Sequence, residues 1–422
     1  MRDVPETFKR PVEKIGMSRL ITVGLILPLV GCAGRGAERA VSAPLSTRAP
    51  ITVPATVITP VDATTVPEIY ARASKLFDDA AYSRAAQQFD RVATLEPNGD
   101  LADDATFRAA EAYDLASEFE TAALRYEHVS QRYPASPLAT LARIRATRIH
   151  VHLDRFQRAG ELASSVLASG ISLNAFDRVL VYAASALARL DENDEVAAAT
   201  FIEKGRETIE AHRLDAAGRV GKELAALYYA LGELRRRRAE RILFDPVPPD
   251  YLDALERRCQ LILDAQSAYS DTMRAYDAHW SAMAGYRIGE LYRRLHEDIM
   301  KVKPPPSADT EEERQLFEAG MRHRFAILLE KALANVDLTL GMLQRTGEKS
   351  SFADRLARAR IEIVAARDRE QAALARLPYS RGTLEAAMKQ VAQRAEEQRR
   401  QGGRNTPPSS SPRPDPAGPK QP

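Results

Sequence analysis

Few side chains in this sequence combine the types and spacing that would support chemistry. The seven histidines are scattered, and the nearest two, His150 and His152, would point to different faces of a helix, which makes a poor metal pair. No GxGxxG, Walker A, HExxH, GxSxG or CxxC motif is present. The many carboxylates are typical of solvated helix faces. We therefore expect no catalytic residues, metal site, cofactor or small-molecule substrate.

The two cysteines have different settings. Cys32 lies one residue, Gly31, after an apolar run of eleven residues, 20–30, which Arg19 and other basic residues precede. That run is too short to cross a bilayer, which takes about 20 residues, but it fits the apolar core of an export signal. The sequence therefore predicts a signal segment over residues 1–31, with either Met1 or Met17 as its start.

The segment Leu29-Val30-Gly31-Cys32 resembles the bacterial lipobox. The resemblance implies that the Cys32 thiol accepts a diacylglycerol group and that small Gly31 admits the signal peptidase. Two or three acyl chains would anchor the protein firmly. Ala33, where an aspartate often retains such proteins in the inner membrane, implies a lipid-anchored position at the outer membrane, facing the periplasm. The alternative is a short apolar segment followed by a chance cysteine.

Composition separates the ends of the chain from its middle. We predict a flexible linker over residues 32–65, because its prolines prevent a continuous helix, and a disordered tail over residues 401–422, which is rich in Pro, Ser, Gly and Arg. The full chain holds 60 basic and 58 acidic residues, and cleavage before Cys32 would leave equal numbers. This balance argues against nucleic acid as a partner.

The middle of the chain repeats every 37 residues. Helix formers dominate it, and good strand patterns are scarce. In each unit an aromatic residue is followed by alanine three residues later and valine ten residues later, which places them on one helix face. The aligned columns are Tyr82, Phe119 and Phe156; Ala85, Ala122 and Ala159; Phe89, Tyr126 and Ala163; Val92, Val129 and Val166; and Ala73, Ala110 and Thr147.

This pattern is similar to the tetratricopeptide repeat (TPR), a pair of antiparallel helices, A and B, of nominally 34 residues. Residues 129–137 resemble the repeats of envelope TPR lipoproteins, such as the β-barrel assembly lipoprotein. The resemblance implies an all-α, TPR-like solenoid of antiparallel helix pairs over residues 66–245, with a looser fourth unit at Ala198 and Ile202. The predicted repeat core is Ala73, Tyr82, Ala85, Phe89, Ala110, Tyr113, Phe119, Ala122, Tyr126, Phe156 and Ala159.

A C-terminal region of longer helices is expected over residues 250–400. Proline-rich breaks at residues 245–250 and 301–306 divide it, and Thr310 with Glu313 predicts a capping box that opens a helix. Residues 284–292 and 317–332 loosely resemble the C-terminal part of gliding-motility TPR lipoproteins of deltaproteobacteria. We expect Trp280 in the core rather than on a binding surface and Cys259 to be a buried, inert thiol.

The resemblance implies a scaffold that binds other envelope proteins in a concave groove, in envelope assembly or gliding motility. Exposed positions of the A helices would line that groove, near Arg72, Lys75, Arg108 and Glu111. The alternative is a cell-wall-linked factor that binds peptidoglycan or coordinates its enzymes. The run Arg235–Arg238 is either a grip for an acidic partner or a solvated helix surface with nearby carboxylates.

Overall fold

The computed structural model describes residues 65–215, 221–248, 251–304, 310–348, 351–380, 382–384 and 386. Contacts divide the chain into two units, Met1–Asp62 and Ala63–Pro422, and every described residue belongs to the second. The predicted signal segment, the lipidation motif with Cys32, and the tail lie outside the described residues. So does nearly all of the predicted linker.

The described residues form thirteen α-helices and one 3-10 helix, Lys222–Leu224, with no strand among them. The predicted all-α solenoid of helix pairs is thereby confirmed. The α-helices are α1 Val66–Asp78, α2 Tyr82–Leu95, α3 Ala102–Leu115, α4 Phe119–Arg132, α5 Ala139–His152, α6 Phe156–Ala168, α7 Ala175–Asp191, α8 Glu195–His212, α9 Ala225–Glu240, α10 Tyr251–Met273, α11 Ala278–Met300, α12 Glu311–Thr346 and α13 Ser351–Ala375.

The turn between the helices of a pair repeats with the sequence. Helices α2, α4 and α6 begin at the three aromatic residues that lie 37 residues apart. Two residues before each start, one residue adopts the left-handed conformation: Ala80, Ser117 and Asp154, with φ of 55°, 62° and 60°. Asn193, with φ of 61°, lies two residues before the start of α8. The fourth pair, α7 and α8, is therefore joined by the same turn.

Each pair packs onto the next through its B helix, so that α2 contacts α3, α4 contacts α5 and α6 contacts α7. The A helices also contact one another directly along the row from α5 through α7, α9 and α11 to α13. Side-chain hydrogen bonds connect the A helices nearer the N-terminus. Tyr70 on α1 donates to Asp104 on α3, and Arg148 on α5 donates to Asp114 on α3. The A helices therefore line one side of the solenoid, which we call the inner side.

The apolar core falls into two clusters that meet at the third pair. One extends from Ile69 to Leu162, and the other extends from Ile144 to Ile363. The second cluster is continuous across the proline-rich residues 245–250, where α9 and α10 pack along each other. The predicted change from repeats to longer helices is thus a change in helix length without a break in the core.

The C-terminal helices are long, and α12 has 36 residues. Thr310 caps α12 through the predicted capping box, in which the Glu313 backbone N–H donates to the Thr310 hydroxyl at 3.1 Å. None of the helices in the described ranges is both long enough and apolar enough to cross a membrane.

Candidate interaction surface

The predicted repeat-core residues occupy the interior of the first three pairs. Nine of them are buried, and these are Ala73, Ala85, Phe89, Ala110, Tyr113, Ala122, Tyr126, Phe156 and Ala159. Tyr82 and Phe119 are half-buried. The Tyr82 ring packs edge-on against Phe77 at 5.4 Å, so it covers the end of its own pair rather than entering the core.

The four predicted groove residues lie on two different surfaces. Arg72 and Lys75 are exposed on α1, but the residues 37 positions later, Ala109 and Ala112, are fully buried in α3. Each later A helix has a preceding pair packed against this face, and no described pair precedes α1. Arg72 and Lys75 therefore lie on the end face of the described solenoid, whereas Arg108 lies on its inner side.

A row of exposed or half-exposed side chains follows the inner side at the repeat spacing. Arg108 on α3, Arg145 on α5 and Tyr182 on α7 are 37 residues apart, and both arginines are exposed. Arg108 forms an ion pair with Glu111 at 3.1 Å. We call Arg108, Glu111, Arg145 and Tyr182 the inner surface; two of its members, Arg145 and Tyr182, extend the predicted groove.

A second repeated feature was missed by the sequence analysis. Asp90 on α2 accepts hydrogen bonds from the Tyr113 hydroxyl at 3.0 Å and from Arg125 Nε at 2.7 Å. Glu127, 37 residues after Asp90, lies 2.6 Å from the Nε2 of His150, which is 37 residues after Tyr113. A carboxylate on α2 and another on α4 thus bind the A helix that follows. The repeat spacing of these four residues was the available signal.

His150 and His152 point to different faces of α5, as their spacing predicted. His150 is buried beside Glu127, and Arg158 also bonds to Glu127. These two partners outweigh the burial of Glu127 and lower its pKa. The His152 ring instead stacks on His279 of α11, with centroids 3.6 Å apart. Across the described residues, no group of three or more His, Cys, Asp or Glu side chains is placed to hold a metal ion.

The arginine run on α9 is used inside the molecule. Arg235 Nη1 donates to the Asp264 carbonyl at 2.7 Å, and Arg236 pairs with Glu233 and Glu240 on its own helix. Arg237 Nη1 donates to Asn193 Oδ1 at 2.9 Å in the turn of the fourth pair. These bonds tie α9 to α8 and α10, so the run is not a free cationic patch.

A buried carboxylate lies at the centre of the C-terminal helices. Glu233 Oε1 is 2.8 Å from Arg287 Nε and accepts a 2.6 Å hydrogen bond from the Tyr269 hydroxyl. Burial alone would raise the pKa of Glu233, but Arg287 and Arg236 lower it well below 4.5. Trp280 is 9% exposed and packs against Tyr229, which makes it a core residue. The half-buried Cys259 is a free thiol whose pKa is raised by burial.

A cleft of about 440 Å³ opens between α11, α12 and α13. Met300 and Leu329 contribute apolar lining, and Arg293, Glu297 and Arg369 contribute charge. His296 also lines it, and the described residues offer no hydrogen-bond partner to its buried Nε2. The mixed charges of this cleft favour no particular class of ligand.

No protein-family model matches the sequence, and no curated protein is similar to it. The solved structures that match the chain include two tetratricopeptide repeat proteins. A tetratricopeptide repeat protein from Parabacteroides merdae has a TM-score of 0.38 and 10% identity, covering 70% of this chain and 98% of that one. The TPR domain of P58(IPK) has a TM-score of 0.25 and 15% identity, covering 79% of this chain and 98% of that one.

Proposed function

We propose that this protein is a lipid-anchored scaffold that binds other cell-envelope proteins through its inner surface. The observation that carries the proposal is the recurrence of exposed arginines, Arg108 and Arg145, at the repeat spacing along one side of a solenoid. Two guanidinium groups on successive A helices suit the carboxylates and carbonyls of a protein segment laid across those helices.

The chemistry of the buried ionisable groups supports a binding role rather than catalysis. Glu233 is engaged by Arg287 and Tyr269, and Glu127 is engaged by His150 and Arg158. Groups that neutralise one another in this way stabilise the packing of helices, and a general acid or base needs a free proton position next to a substrate.

The anchoring part of the proposal rests on the sequence. The Leu29-Val30-Gly31-Cys32 segment lies at the end of an apolar run of signal length and precedes a proline-containing stretch. An acylated Cys32, with Ala33 next to it, would hold the solenoid at the outer membrane on the periplasmic side. The loose resemblance to gliding-motility lipoproteins and the closer one to an assembly lipoprotein suggest gliding motility or envelope assembly as the setting.

In-cell crosslinking followed by affinity purification from membranes tests both parts. We expect a defined set of envelope proteins to co-purify with the wild type. The double variant Arg108→Glu/Arg145→Glu should lose them while staying in the membrane fraction. The Cys32→Ala variant should be lost from the membrane fraction. The matched control is Arg84→Glu/Arg91→Glu, which reverses two exposed charges on the B helix α2 and should keep the partners.

Two outcomes would contradict the proposal. If both double variants retain the same partners as wild type, the inner surface is not the binding site. If Cys32→Ala fractionates with membranes as wild type does, the protein is not anchored by lipid at that residue. Recovery of peptidoglycan fragments in place of proteins would favour the alternative of a cell-wall-linked factor.

A further inference from the structure

The third helix pair makes a direct contact with the C-terminal helices. His152, the last residue of α5, stacks on His279 near the start of α11, with ring centroids 3.6 Å apart and an interplanar angle of 24°. Phe119 packs on His152 at 4.3 Å, and Phe352 of α13 meets His279 edge-on at 5.9 Å. Two imidazole rings therefore form the centre of an aromatic cluster that joins helices distant in sequence.

An ion pair lies beside this cluster. Asp154, in the turn after α5, is 3.1 Å from Arg355 of α13 through Oδ2 and Nη1, and the Arg355 guanidinium stands 4.5 Å from the Phe352 ring. We call His152, Asp154, His279, Phe352 and Arg355 the closing contact. It brings the third pair against α11 and α13 along the inner side of the solenoid.

We propose that the closing contact is an acid-sensitive latch, which protonation of the His152–His279 pair opens, separating the third helix pair from α11 and α13. Neutral imidazoles stack through dispersion, whereas two imidazolium ions at this spacing repel each other. The burial of the cluster adds to this effect, because a charged ring inside it would lose its hydration.

The charged groups around the pair do not neutralise a second proton. Arg148 on α5 adds positive charge beside His152, the Arg355 guanidinium on α13 is paired with Asp154, and the ring from α4, Phe119, is uncharged. Asp277, which precedes α11, favours the protonated form of His279 but also caps α11, accepting the Trp280 backbone N–H at 3.0 Å. The pKa of Glu348, after α12, is raised by burial and further by the nearby charge of Asp277.

The sign of the effect follows from the shifted histidines. Burial, with Arg148, lowers the pKa of His152 to about 4, and burial, with His152, lowers the pKa of His279 to about 4. Once the contact opens, each pKa returns towards 6.5. The contact is therefore fully stable above pH 6.5 and weakens as the pH falls towards 4. At pH 5 the ratio of open to closed molecules should rise roughly 30-fold for each histidine.

Trp280 makes the test direct, because it is the only tryptophan and its ring lies 6.1 Å from His279. We would titrate the full chain from pH 8 to pH 4, following tryptophan fluorescence, far-ultraviolet circular dichroism and amide hydrogen exchange. We expect a fluorescence transition between pH 6 and 4 with helicity kept, and faster exchange in the turn after α5 and at the start of α13.

The double variant His152→Phe/His279→Phe keeps two stacked rings but cannot titrate, so it should lose both changes. His128→Phe, which alters an exposed histidine on α4, should keep them. If the double variant does not reach wild-type helicity at pH 7.5, His279→Gln replaces it.

Three outcomes would overturn the latch: a transition unchanged in the non-titrating variant, a fluorescence change that coincides with loss of helicity, or a fluorescence change without faster exchange.

Discussion

Arg72 and Ala109 occupy the same position of successive A helices, yet Arg72 is exposed and Ala109 is fully buried. The difference is not in the helices themselves, since both positions lie on the same helical face. It arises because α2 packs against α3, and no described helix packs against the corresponding face of α1. A charged residue on a terminal repeat keeps its hydration there, as terminal repeats of solenoids generally require.

Ala146 of α5 occupies the same repeat position as Arg72 and Ala109, and it is fully buried. We predict that Ala146→Arg destabilises the protein by about 3–5 kcal/mol, because it buries an unpaired guanidinium. Arg72→Ala should change stability by no more than about 0.5 kcal/mol. Urea unfolding followed by circular dichroism measures both. Equal effects of the two substitutions would show that the end face is not terminal in the folded protein.

The contact between the third and fourth pairs is set by a glycine. A β-carbon on Gly160 of α6 would lie 2.3 Å from the Ala188 Cβ of α7. We expect Gly160→Ala to cost about 1–3 kcal/mol through overpacking, despite its better helix propensity. Adding Ala188→Gly should restore part of that loss.

Gly341→Ala on α12 is the control for helix propensity, since a β-carbon there would lie 3.5 Å from its nearest neighbour, Arg345 Nη1. That substitution should stabilise the protein by up to about 1 kcal/mol. Thermal unfolding would compare the two. If Gly160→Ala stabilised the protein, α6 and α7 would have to be far enough apart to accommodate the added methyl group.

Substitution by glycine should have opposite effects on stability at the left-handed turn residue of a pair and inside the neighbouring helix. Ala80 has φ of 55°, a conformation that glycine adopts without steric cost. We expect Ala80→Gly to stabilise the first pair by about 0.5–1 kcal/mol. Ala71→Gly, at an exposed position inside α1, should destabilise it by about 1 kcal/mol. Denaturant midpoints of both variants decide the matter.

Glu233 gives a pH-dependent prediction. Its pKa in the folded protein is lowered below 4.5 by Arg287 and Arg236, so its stabilising contribution is present above pH 4.5 and is lost as the pH falls below that value. Glu233→Gln leaves buried arginines without their carboxylate and should cost about 3–5 kcal/mol at pH 7.

The stability difference between wild type and Glu233→Gln should shrink as the pH is lowered from 5 to 2, because the carboxylate takes up a proton first in the unfolded chain, below pH 4.5, and in the folded protein only near its lowered pKa of about 2. Guanidinium unfolding at several pH values measures this. A difference that is independent of pH would mean that Glu233 contributes through packing and not through its charge.

Much of the fold follows from local sequence signals. The 37-residue spacing of Tyr82, Phe119 and Phe156 located the starts of α2, α4 and α6. Thr310 and Glu313 located the start of α12 through two hydrogen bonds between residues three apart. Such signals act within one or two turns of a helix, so they can be read without the rest of the chain.

The candidate surface was only partly predictable. Arg72, Lys75 and Arg108 were assigned to one groove, and all three are exposed on A helices, but Arg72 and Lys75 lie on the end face and Arg108 lies on the inner side. Exposure at those positions depends on whether a preceding helix pair packs against that face, and the residue types of α1 do not indicate this. Asp90 and Glu127 recur at the repeat spacing but were not predicted, because the repeat was recognised from its apolar residues alone.

The sequence by itself determined the helical class, the repeat length, the turns and the buried alanine columns, since each depends on side chains close together along the chain. Only the tertiary structure decided that His152 meets His279 and that Asp154 meets Arg355. Those contacts depend on how successive pairs are oriented, and the small rotations between pairs accumulate over the length of the solenoid. A sum of many packing angles decides which distant residues touch, and no short segment encodes that sum.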